Sequence, residues 1–377
     1  MIYLDNAATS FKKPRCVLRA LKRYQKNLSV NAGRGGHSLS LAGLEHILEA
    51  AESLAKLFNI PDPARIAFFP NATYALNAAI GGLCGREDHA VVTQMEHNSV
   101  LRPVHLHTSY TVAEADSEGY VIPAAVKAAI RPDTKLIICT HASNVTGSIQ
   151  PIEEIAAIAH AYGLPLLIDC AQTAGAFPID VREMGADMIA FSGHKGLLGP
   201  LGTGGLYARE GLSFKPVIAG GTGSHSESLE QPNDMPDIFH CGTLNTPAIA
   251  ALGKSARYIL ERGVDRIAEE ERELAVSFIN ALLEMENVTV YGSPGDRPHN
   301  GTVSFNIDAL DPGETARILN DKYKIAVRAG YHCAPLAHRA IGSENKGTVR
   351  VSFGAFSSVS ELRRICDAVY ALSRKGV

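Results

Sequence analysis

Short runs of apolar residues alternate with helical stretches between residues 40 and 191, and this alternation restricts the fold more than any other feature of the sequence. Because the apolar runs are continuous, they predict strands that are buried on both faces. Such strands, when joined by helices, form a mostly parallel sheet that is covered on both sides, with right-handed crossovers. The predicted strands are residues 65–69, 89–93, 135–140, 164–169 and 187–191, and the predicted helices among them are residues 40–58, 73–83, 98–107 and 152–162.

The pattern changes near residue 220. Residues 219–242 are rich in Gly, Ser, Pro and Asp, which predicts an irregular loop over the edge of the sheet. The order of strands and helices beyond this loop is typical of an α+β domain, so we expect a second, smaller domain at the end of the chain. Its predicted helices are residues 246–261, 264–284, 312–321 and 359–373, and its predicted strands are residues 288–291, 302–306, 325–328 and 348–353.

Charge and composition argue against several kinds of protein. The 377 residues carry a formal net charge of −3, whereas nucleic-acid binders usually show a basic surplus. No run of about 18 apolar residues is present, so no membrane span is expected, and the first residues lack the layout of a signal peptide. The seven scattered cysteines include no Cys-x-x-Cys pair, and no H-E-x-x-H motif occurs, so we expect neither a disulfide framework nor a metal site. The chain is predicted to be a cytoplasmic protein with reduced thiols.

A lysine in a glycine-flanked turn follows the strand predicted at residues 187–191. The segment F-S-G-H-K-G places Lys195 at the carboxyl edge of the sheet, where open α/β sheets bind their ligands. Burial in such a turn lowers the pKa of a lysine, and a neutral amine forms an imine with an aldehyde. The alternative is a surface lysine beside a turn.

A carboxylate ends the preceding predicted strand, in the segment L-L-I-D-C-A-Q. A charge at the position of Asp169 needs a cationic or hydrogen-bonding partner, and a protonated pyridine nitrogen is one such partner. The alternative is the capping of a following helix. Because Asp169 and Lys195 end successive strands, they are expected to act together. One carboxylate for a ring nitrogen and one lysine for an aldehyde are what pyridoxal 5'-phosphate requires.

Two other predicted strands end in polar residues that suit a phosphorylated aromatic ligand. Asn71 and Thr73 stand between a strand and a helix, where a helix N-terminus and a hydroxyl group could bind phosphate. The alternative is simple capping of that helix by these side chains. His97 follows the strand at residues 89–93 and could stack on an aromatic ring or relay protons, or it is a structural histidine.

Two residues in the last 50 positions could act on a substrate. Cys333 follows a glycine in the polar segment V-R-A-G-Y-H-C-A, where an exposed thiolate is expected; the alternative is an inert loop thiol. Arg350 interrupts the apolar strand predicted at residues 348–353. Its guanidinium group suits a substrate carboxylate, and the alternative is an internal salt bridge.

Together these motifs resemble the cysteine desulfurase and selenocysteine lyase family, which are pyridoxal-phosphate enzymes of the class V aminotransferase group with fold type I. The resemblance covers nearly the whole chain, from Y-L-D-N-A-A-T at residues 3–9 through S-G-H-K at 192–195 to R-A-G-Y-H-C-A at 328–334. The last motif is similar to that of the second desulfurase group. The resemblance implies a mostly parallel seven-stranded sheet in a large domain (16–250) and a small α+β domain that carries the cysteine loop (251–377). It also implies an N-terminal segment (1–15) that packs with the small domain.

The resemblance also implies a role for each motif. Lys195 would hold the cofactor as a Schiff base and move the substrate's α-proton, Asp169 would bind the pyridine nitrogen, and Cys333 would attack the substrate's sulfur. Gln172 would contact the ring oxygen, and His97 would stack on the ring. The other implied contacts are Ala72, Thr73, Ser192 and His194 with the phosphate, Thr243 with the phosphate of a neighbouring subunit, Asn144 with cofactor and substrate, and Arg328, His332 and Arg350 with the substrate. The role of Thr243 implies a homodimer with shared active sites.

The implied reaction converts L-cysteine to L-alanine and leaves a persulfide on Cys333, which passes to a probable acceptor protein. A selenocysteine lyase acting on L-selenocysteine is the alternative, because the cofactor steps are shared. A non-catalytic sulfur carrier would not need the imine-forming Lys195, and a transaminase would not need Cys333. Neither nucleic acid nor membrane is an expected partner.

The sequence departs from the family's pattern in three places. Gly196 is an additional glycine after the lysine, Tyr74 stands where an acidic residue is common, and His240-Cys241 precede Gly242-Thr243 where Glu-Ala is frequent. These departures are expected to affect substrate preference and partner more than cofactor chemistry.

Overall fold

The computed structural model describes residues 1–292 and 295–374. Its strands are β1 (Ile2–Tyr3), β2 (Ile66–Phe69), β3 (His89–Thr93), β4 (Ser109–Ala113), β5 (Thr134–Thr140), β6 (Leu166–Asp169), β7 (Met188–Ser192), β8 (Gly204–Ala208), β9 (Val288–Tyr291), β10 (Thr302–Ile307), β11 (Ile325–Ala326), β12 (Arg328–Gly330) and β13 (Thr348–Ser352). Its α-helices are α1 (Arg15–Asn27), α2 (Ser38–Phe58), α3 (Ala72–Leu83), α4 (Asn98–His107), α5 (Pro123–Ala128), α6 (Ile152–Ala161), α7 (Thr246–Arg262), α8 (Val264–Leu283), α9 (Pro312–Tyr323), α10 (Pro335–Ala340) and α11 (Val359–Ser373).

A mixed sheet forms the centre of the larger part of the molecule. Within the described residues it has seven strands in the order β2-β8-β7-β6-β5-β3-β4. The pairs from β7 through β6, β5 and β3 to β4 are parallel, and β8 runs antiparallel to both of its neighbours. This confirms the expected mostly parallel sheet of seven strands. The strand order reverses between β3 and β5, which is the place where open α/β sheets bind ligands.

Helices cover both faces of this sheet, as the continuous apolar strands predict. Ile137 of β5 belongs to the core that includes Leu54 of α2 and Ile155 of α6. Its neighbour Ile138 belongs to a second core, together with residues of α3 and α4. Successive strand residues point to opposite faces, so a strand that is covered on both sides is apolar at every position.

A smaller antiparallel sheet, in the order β12-β13-β10-β9, forms the second part. Its core joins Phe305 of β10 with Phe278 of α8 and Val369 of α11. The start of the chain belongs here as well, because β1 pairs in parallel with β11 and Leu4 lies in the same core. Helix α7, which contains the predicted boundary at residue 250, packs against α1 and α2 of the larger part. The boundaries at residues 15 and 250 stay predictions.

Several elements differ from the sequence-based expectation. The predicted strand at 325–328 is two strands, because the chain changes partner from β1 to β13 after Ala326. Strand β8 was not predicted because it begins with two glycines. A Cβ on Gly205 would lie 2.4 Å from the ring of Phe191, so this close packing of β8 on β7 requires glycine. Edge strand β4 and helices α1, α5 and α10 were also not predicted.

Two expectations about the rest of the chain can be compared directly with the structure. All residues from 219 to 242 are described, and none of them lies in a helix or a strand, as predicted for an irregular loop. Among the described residues, no helix combines the length and the apolar character that crossing a membrane requires.

Candidate active site

The carboxyl ends of β3, β5, β6 and β7 and the N-terminus of α3 surround a cavity of about 230 Å³. This position is the one that parallel strand ends and the reversal of strand order predict. The lining residues are Asn71, Ala72, Thr73, His97, Ser99, Thr140, Ala142, Asn144, Asp169, Ala171, Gln172, Ser192, His194 and Lys195. The structure therefore brings together nine of the sequence-predicted residues, which are Ala72, Thr73, His97, Asn144, Asp169, Gln172, Ser192, His194 and Lys195.

Lys195 and Asp169 share this cavity because β6 and β7 are adjacent and parallel. The Nζ atom of Lys195 makes no hydrogen bond or ion pair with any described residue. Burial lowers the pKa of Lys195 to about 8, and the negative charge of Asp169 opposes this shift. A substantial fraction of the amine is therefore neutral near pH 7 to 8 and able to act as a nucleophile.

Asp169 is 4% exposed. Its Oδ1 atom accepts a hydrogen bond of 2.9 Å from the backbone N–H of Ala171, and burial raises its pKa. The next element after β6 is strand β7, with no helix in the described residues 170–187 between them, so the alternative of helix capping is wrong. Because Oδ2 has no hydrogen-bond partner among the described residues, the carboxylate has one oxygen available for a cationic group in the cavity.

His97 both caps a helix and lines the cavity. Its Nδ1 atom accepts a hydrogen bond of 3.0 Å from the backbone N–H of Ser99, at the start of α4. Burial, together with the positive charge of Lys195, lowers the pKa of His97 to about 3. The imidazole is therefore neutral at physiological pH, and its Nδ1 atom is an acceptor.

The N-terminus of α3 forms one end of the cavity, together with the hydroxyl groups of Thr73, Ser99 and Ser192. Asn71 caps this helix by accepting from the backbone N–H of Tyr74, and the Oγ atom of Ser192 accepts a bond of 3.1 Å from the backbone N–H of Ala72. The hydroxyls of Thr73 and Ser99 lie 2.8 Å apart. Helix N–H groups and hydroxyls together are typical of a phosphate site.

Two lining residues connect the site to the beginning of the chain. The Nδ1 atom of His194 lies 3.0 Å from the Oγ1 atom of Thr9, and Gln172 donates a hydrogen bond of 3.1 Å to the carbonyl oxygen of Ala7. The sequence analysis assigned both residues to the cofactor alone. The structure adds that they hold the N-terminal segment against the cavity.

Arg350 is 1% exposed and lies outside the lining of the cavity. It donates to the carbonyl oxygen of Asn144 at 2.9 Å and to the Oδ1 atom of Asp5 at 2.7 Å. The internal salt bridge, the alternative considered for this arginine, is therefore present. Its Nε–H group is buried without a partner among the described residues, so one donor of the guanidinium group makes no hydrogen bond with them.

Cys333 is exposed on the loop between β12 and α10. The nearest cation is Arg328, whose Nη2 atom lies 3.7 Å from the Sγ atom. His332 does not line the cavity, because its buried imidazole instead contacts Thr348. Thr243 is exposed and also lies away from the cavity of its own chain.

Several residues at this site belong to none of the motifs that predict it. Ser99 joins His97 to Thr73, and a serine two positions after a capping histidine would have been a signal for it. Glu96 lies beneath the site, fully buried, and its Oε1 atom accepts from the hydroxyl of Thr93 and the backbone N–H of Thr140. Burial raises the pKa of Glu96 to about 8, so the protonated form of this carboxyl group is favoured below that pH.

The positions that depart from the family's pattern have structural explanations in two cases. A Cβ on Gly196 would lie 2.8 Å from the carbonyl oxygen of Ala174, so the turn after Lys195 requires glycine. His240 is buried, and its Nε2 atom accepts a hydrogen bond of 2.8 Å from the backbone N–H of Phe68 in β2. Nothing in the structure explains Tyr74, whose side chain is exposed.

The residues present fit pyridoxal 5'-phosphate. An amine with a lowered pKa, a carboxylate with a free oxygen and a neutral imidazole line one cavity, and a helix N-terminus with hydroxyls ends it. These groups match an aldehyde, a pyridine nitrogen, an aromatic ring and a phosphate in turn.

The sheet and the placement of Lys195 and Asp169 at its carboxyl edge define an enzyme of fold type I, a class built around pyridoxal phosphate. More specifically, the chain belongs to the aminotransferase class-V family, whose family model matches residues 2–365. It is 35% identical to a probable cysteine desulfurase of Methanothermobacter thermautotrophicus, over 100% of this chain and 95% of the relative. It is 31% identical to a cysteine desulfurase of Haloferax volcanii, over 98% and 89% of the two chains.

A solved structure is similar over nearly the full length. The apo structure of a cysteine desulfurase from Thermococcus onnurineus NA1 matches this chain with a TM-score of 0.92 and 34% identity. The match covers 99% of this chain and 95% of that one.

Proposed function

We propose that this chain is a pyridoxal-phosphate-dependent cysteine desulfurase, which converts L-cysteine to L-alanine and forms a persulfide on Cys333. The observation that carries the proposal is that Lys195 and Asp169 line one cavity, while an exposed thiol lies beside Arg328 on a loop anchored to the same site. The full-length similarity to proteins named cysteine desulfurase supports the same activity.

The residues proposed to hold the cofactor follow from the chemistry of the lining. Lys195 would bind the aldehyde, Asp169 the ring nitrogen, Gln172 the ring oxygen, and His97 the face of the ring. The phosphate would lie at Ala72, Thr73, Ser192 and His194. When bound, pyridoxal phosphate supplies an electron sink for a carbanion at the substrate's Cα.

The protein groups then have distinct tasks. With a pKa of about 8, Lys195 can take the α-proton of the substrate at Nζ near neutral pH and return it later. Asp169 would keep a positive charge on the ring nitrogen favourable, because its carboxylate is buried and its Oδ2 atom has no hydrogen-bond partner among the described residues. Asn144 and Arg350 would hold the substrate's carboxylate, with Arg328 beside them, as the family resemblance implies. Asn144 lines the cavity, and Arg350 donates to its carbonyl oxygen.

Cys333 is the proposed sulfur acceptor. Its thiolate would attack the substrate's sulfur, so that the bond between Cβ and sulfur breaks and a sulfur–sulfur bond forms. The substrate leaves as L-alanine after protonation at Cβ. A thiol of an acceptor protein then attacks the terminal sulfur, which regenerates the Cys333 thiolate, so one cysteine and one acceptor thiol give one alanine and one acceptor persulfide.

The proposal also includes a homodimer and a cytoplasmic location. Thr243 is exposed and does not line the cavity of its own chain, which supports a contact with the phosphate bound by a second copy. The seven cysteines form no disulfide among the described residues, and a reactive thiolate with a thiol acceptor is typical of a reducing compartment. We also propose that the chain divides into an N-terminal segment (1–15), a large domain (16–250) and a small domain (251–377), as the family resemblance implies.

The experiment compares the wild-type protein, Cys333→Ala and the matched control Cys16→Ala, since Cys16 is the other exposed cysteine. Each protein is incubated with L-cysteine, and alanine and the mass of each cysteine-containing peptide are measured. We expect a mass increase of one sulfur on Cys333 in the wild type and the control. Cys333→Ala should keep the yellow cofactor but lose cysteine desulfuration. Undiminished persulfide transfer by Cys333→Ala would remove the proposal.

A parallel incubation with L-selenocysteine separates the two activities of the family. A strong preference for selenocysteine that persists in Cys333→Ala would assign the chain as a selenocysteine lyase, because the more acidic selenol leaves without a thiolate. With an α-keto acid present as amino acceptor, 3-mercaptopyruvate formed from L-cysteine in place of alanine would assign it as a transaminase.

A further inference from the structure

The loop that carries Cys333 has an unusual backbone. His332 and Cys333 both lie in the left-handed region, with φ of 49° and 59°. Residues other than glycine rarely adopt this conformation because Cβ approaches the neighbouring carbonyl oxygen. Two consecutive residues in this state persist only where the surrounding structure holds them.

Hydrogen bonds from the larger part of the molecule hold the two carbonyl groups of this loop. The side chain of Asn144 donates to the carbonyl oxygen of His332 at 2.7 Å, and the backbone N–H of Asn98 donates to the carbonyl oxygen of Cys333 at 2.7 Å. Asn144 lies in the loop after β5 and lines the cavity, and Asn98 is the first residue of α4, next to the cavity-lining His97. The loop is therefore attached to the site through its backbone.

The third attachment is the side chain of His332. It is 2% exposed, and its Nε2 atom lies 3.1 Å from the carbonyl oxygen of Thr348 and 3.0 Å from the hydroxyl of Thr348. A carbonyl oxygen only accepts, so Nε2 carries the hydrogen and Nδ1 is bare. The Nδ1 atom is buried and has no partner among the described residues, so Nε2–H provides the polar anchor of this ring.

We propose that His332 is a positioning residue, whose bond to Thr348 on β13 holds Cys333 in its left-handed conformation with the thiol beside Arg328. This inference rests on the proposed role of Cys333 as the sulfur acceptor. It replaces the substrate contact that the sequence analysis expected of His332. Burial lowers the pKa of His332 to about 2, which agrees with a permanently neutral donor.

The position of the thiol beside Arg328 gives a measurable signature. Arg328 has no carboxylate partner among the described residues, and its Nη2 atom lies 3.7 Å from the Sγ atom of Cys333. An anionic alkylating reagent should therefore react faster with Cys333, relative to a neutral reagent, than it does with a thiol remote from Arg328. If the loop relaxes, the thiol leaves this cation and the preference falls.

The experiment measures the ratio of alkylation rates with iodoacetate and with iodoacetamide, on the full-length protein as purified. Mass spectrometry of the peptides reports Cys333 and the exposed Cys16 separately. We expect His332→Leu to lower the ratio at Cys333 about fivefold, the effect of one unit charge at about 4 Å in water. The ratio at Cys16 should not change. His332→Gln, whose Nε2 amide can occupy the donor position, should restore most of the ratio.

The matched control is His89→Leu. His89 is also a buried histidine, with bonds to Thr134 and Thr111 at the opposite edge of the sheet, so its loss tests general destabilisation. If His332→Leu does not fold, His332→Asn replaces it in the experiment, because the asparagine side chain is too short to reach Thr348. An unchanged ratio in the His332 variants, an equal fall in His89→Leu, or no recovery in His332→Gln would overturn the inference. Because no substrate is used, failure of the proposed desulfurase activity would not alter this measurement.

Discussion

Arg350 and Asp5, which are 345 positions apart, form an ion pair between a buried guanidinium group and a partly exposed carboxylate, with the Nη2 atom of Arg350 2.7 Å from the Oδ1 atom of Asp5. The pair joins β13 of the smaller sheet to the N-terminal segment, next to the isolated bridge between Asp5 and Ser352. It compensates a guanidinium group that is 1% exposed. The same arginine reaches the site through the carbonyl oxygen of Asn144.

Removal of Asp5 should leave this charge uncompensated. We expect Asp5→Ala to lower the free energy of unfolding by about 3 kcal/mol, since breaking a buried pair costs more than the pair contributes. The control is Asp321→Ala, which removes an ion pair with Arg317 whose side chains are more than half exposed. It should change stability by less than about 1 kcal/mol. Equal effects in urea unfolding would contradict the prediction.

The lowered pKa of Lys195 predicts how the stability of the folded protein depends on pH. The folded value is about 8 and the ordinary value is 10.5, so between these pH values the unfolded chain binds a proton that the folded chain does not. The stability contributed by this group therefore rises with pH across that window. We expect Lys195→Met to be more stable than the wild type at pH 7, and the difference to decrease as the pH approaches 10.5.

Urea unfolding of the cofactor-free proteins at several pH values measures this difference. Burial also lowers the pKa of Lys13 to about 8. Lys13 is present in both proteins, so its contribution to the stability difference cancels. A stability difference that stays constant from pH 7 to 10 would show that the folded pKa of Lys195 is not lowered.

The stability contributed by Glu96 should change with pH in the opposite direction from that of Lys195. Burial raises its pKa from 4.5 to about 8, so between these values the folded chain holds a proton that the unfolded chain has released. The stability contributed by this group is lost as the pH rises through that window. Glu96→Gln cannot titrate and can keep an acceptor for Thr93 and Thr140. Relative to the wild type, its stability should therefore increase from pH 5 to pH 8, as measured by thermal unfolding. No change in the relative stability over this range would contradict a buried, neutral Glu96.

Gly196 should tolerate no side chain. A Cβ there would meet the carbonyl oxygen of Ala174 and the Cβ of Ala176, both at 2.8 Å, so Gly196→Ala should cost about 1–3 kcal/mol through overpacking. It should also slow reductive trapping of pyridoxal phosphate on the adjacent Lys195 by borohydride. Gly36→Ala is the control, because nothing lies within 4 Å of the added Cβ. Equal melting temperatures for the two variants would contradict this account.

Much of the site could be predicted because it depends on local patterns. The apolar runs predicted parallel strands, and the carboxyl ends of neighbouring parallel strands lie at one edge of a sheet. The convergence of Asp169, Lys195 and His97 follows from that rule alone. The helix N-terminus at Asn71 followed from capping preferences, which are also local.

The parts that were missed depend on contacts between distant segments. Strand β8 begins with two glycines because it packs closely on Phe191, and the orientation of His332 depends on Thr348 across the smaller sheet. The substrate contact of His332 was implied by the family resemblance, and no local pattern around Cys333 predicts the bond of this imidazole to Thr348.

The amino-acid sequence by itself determined the layered α/β architecture and the residues that end the central strands, because periodicity and strand direction are properties of short segments. Only the tertiary structure decided which carboxylate compensates the buried charge of Arg350, which groups hold the Cys333 loop, and that burial raises the pKa of Glu96. Those outcomes depend on desolvation and on hydrogen-bond partners that are brought together by packing, and no local pattern encodes them.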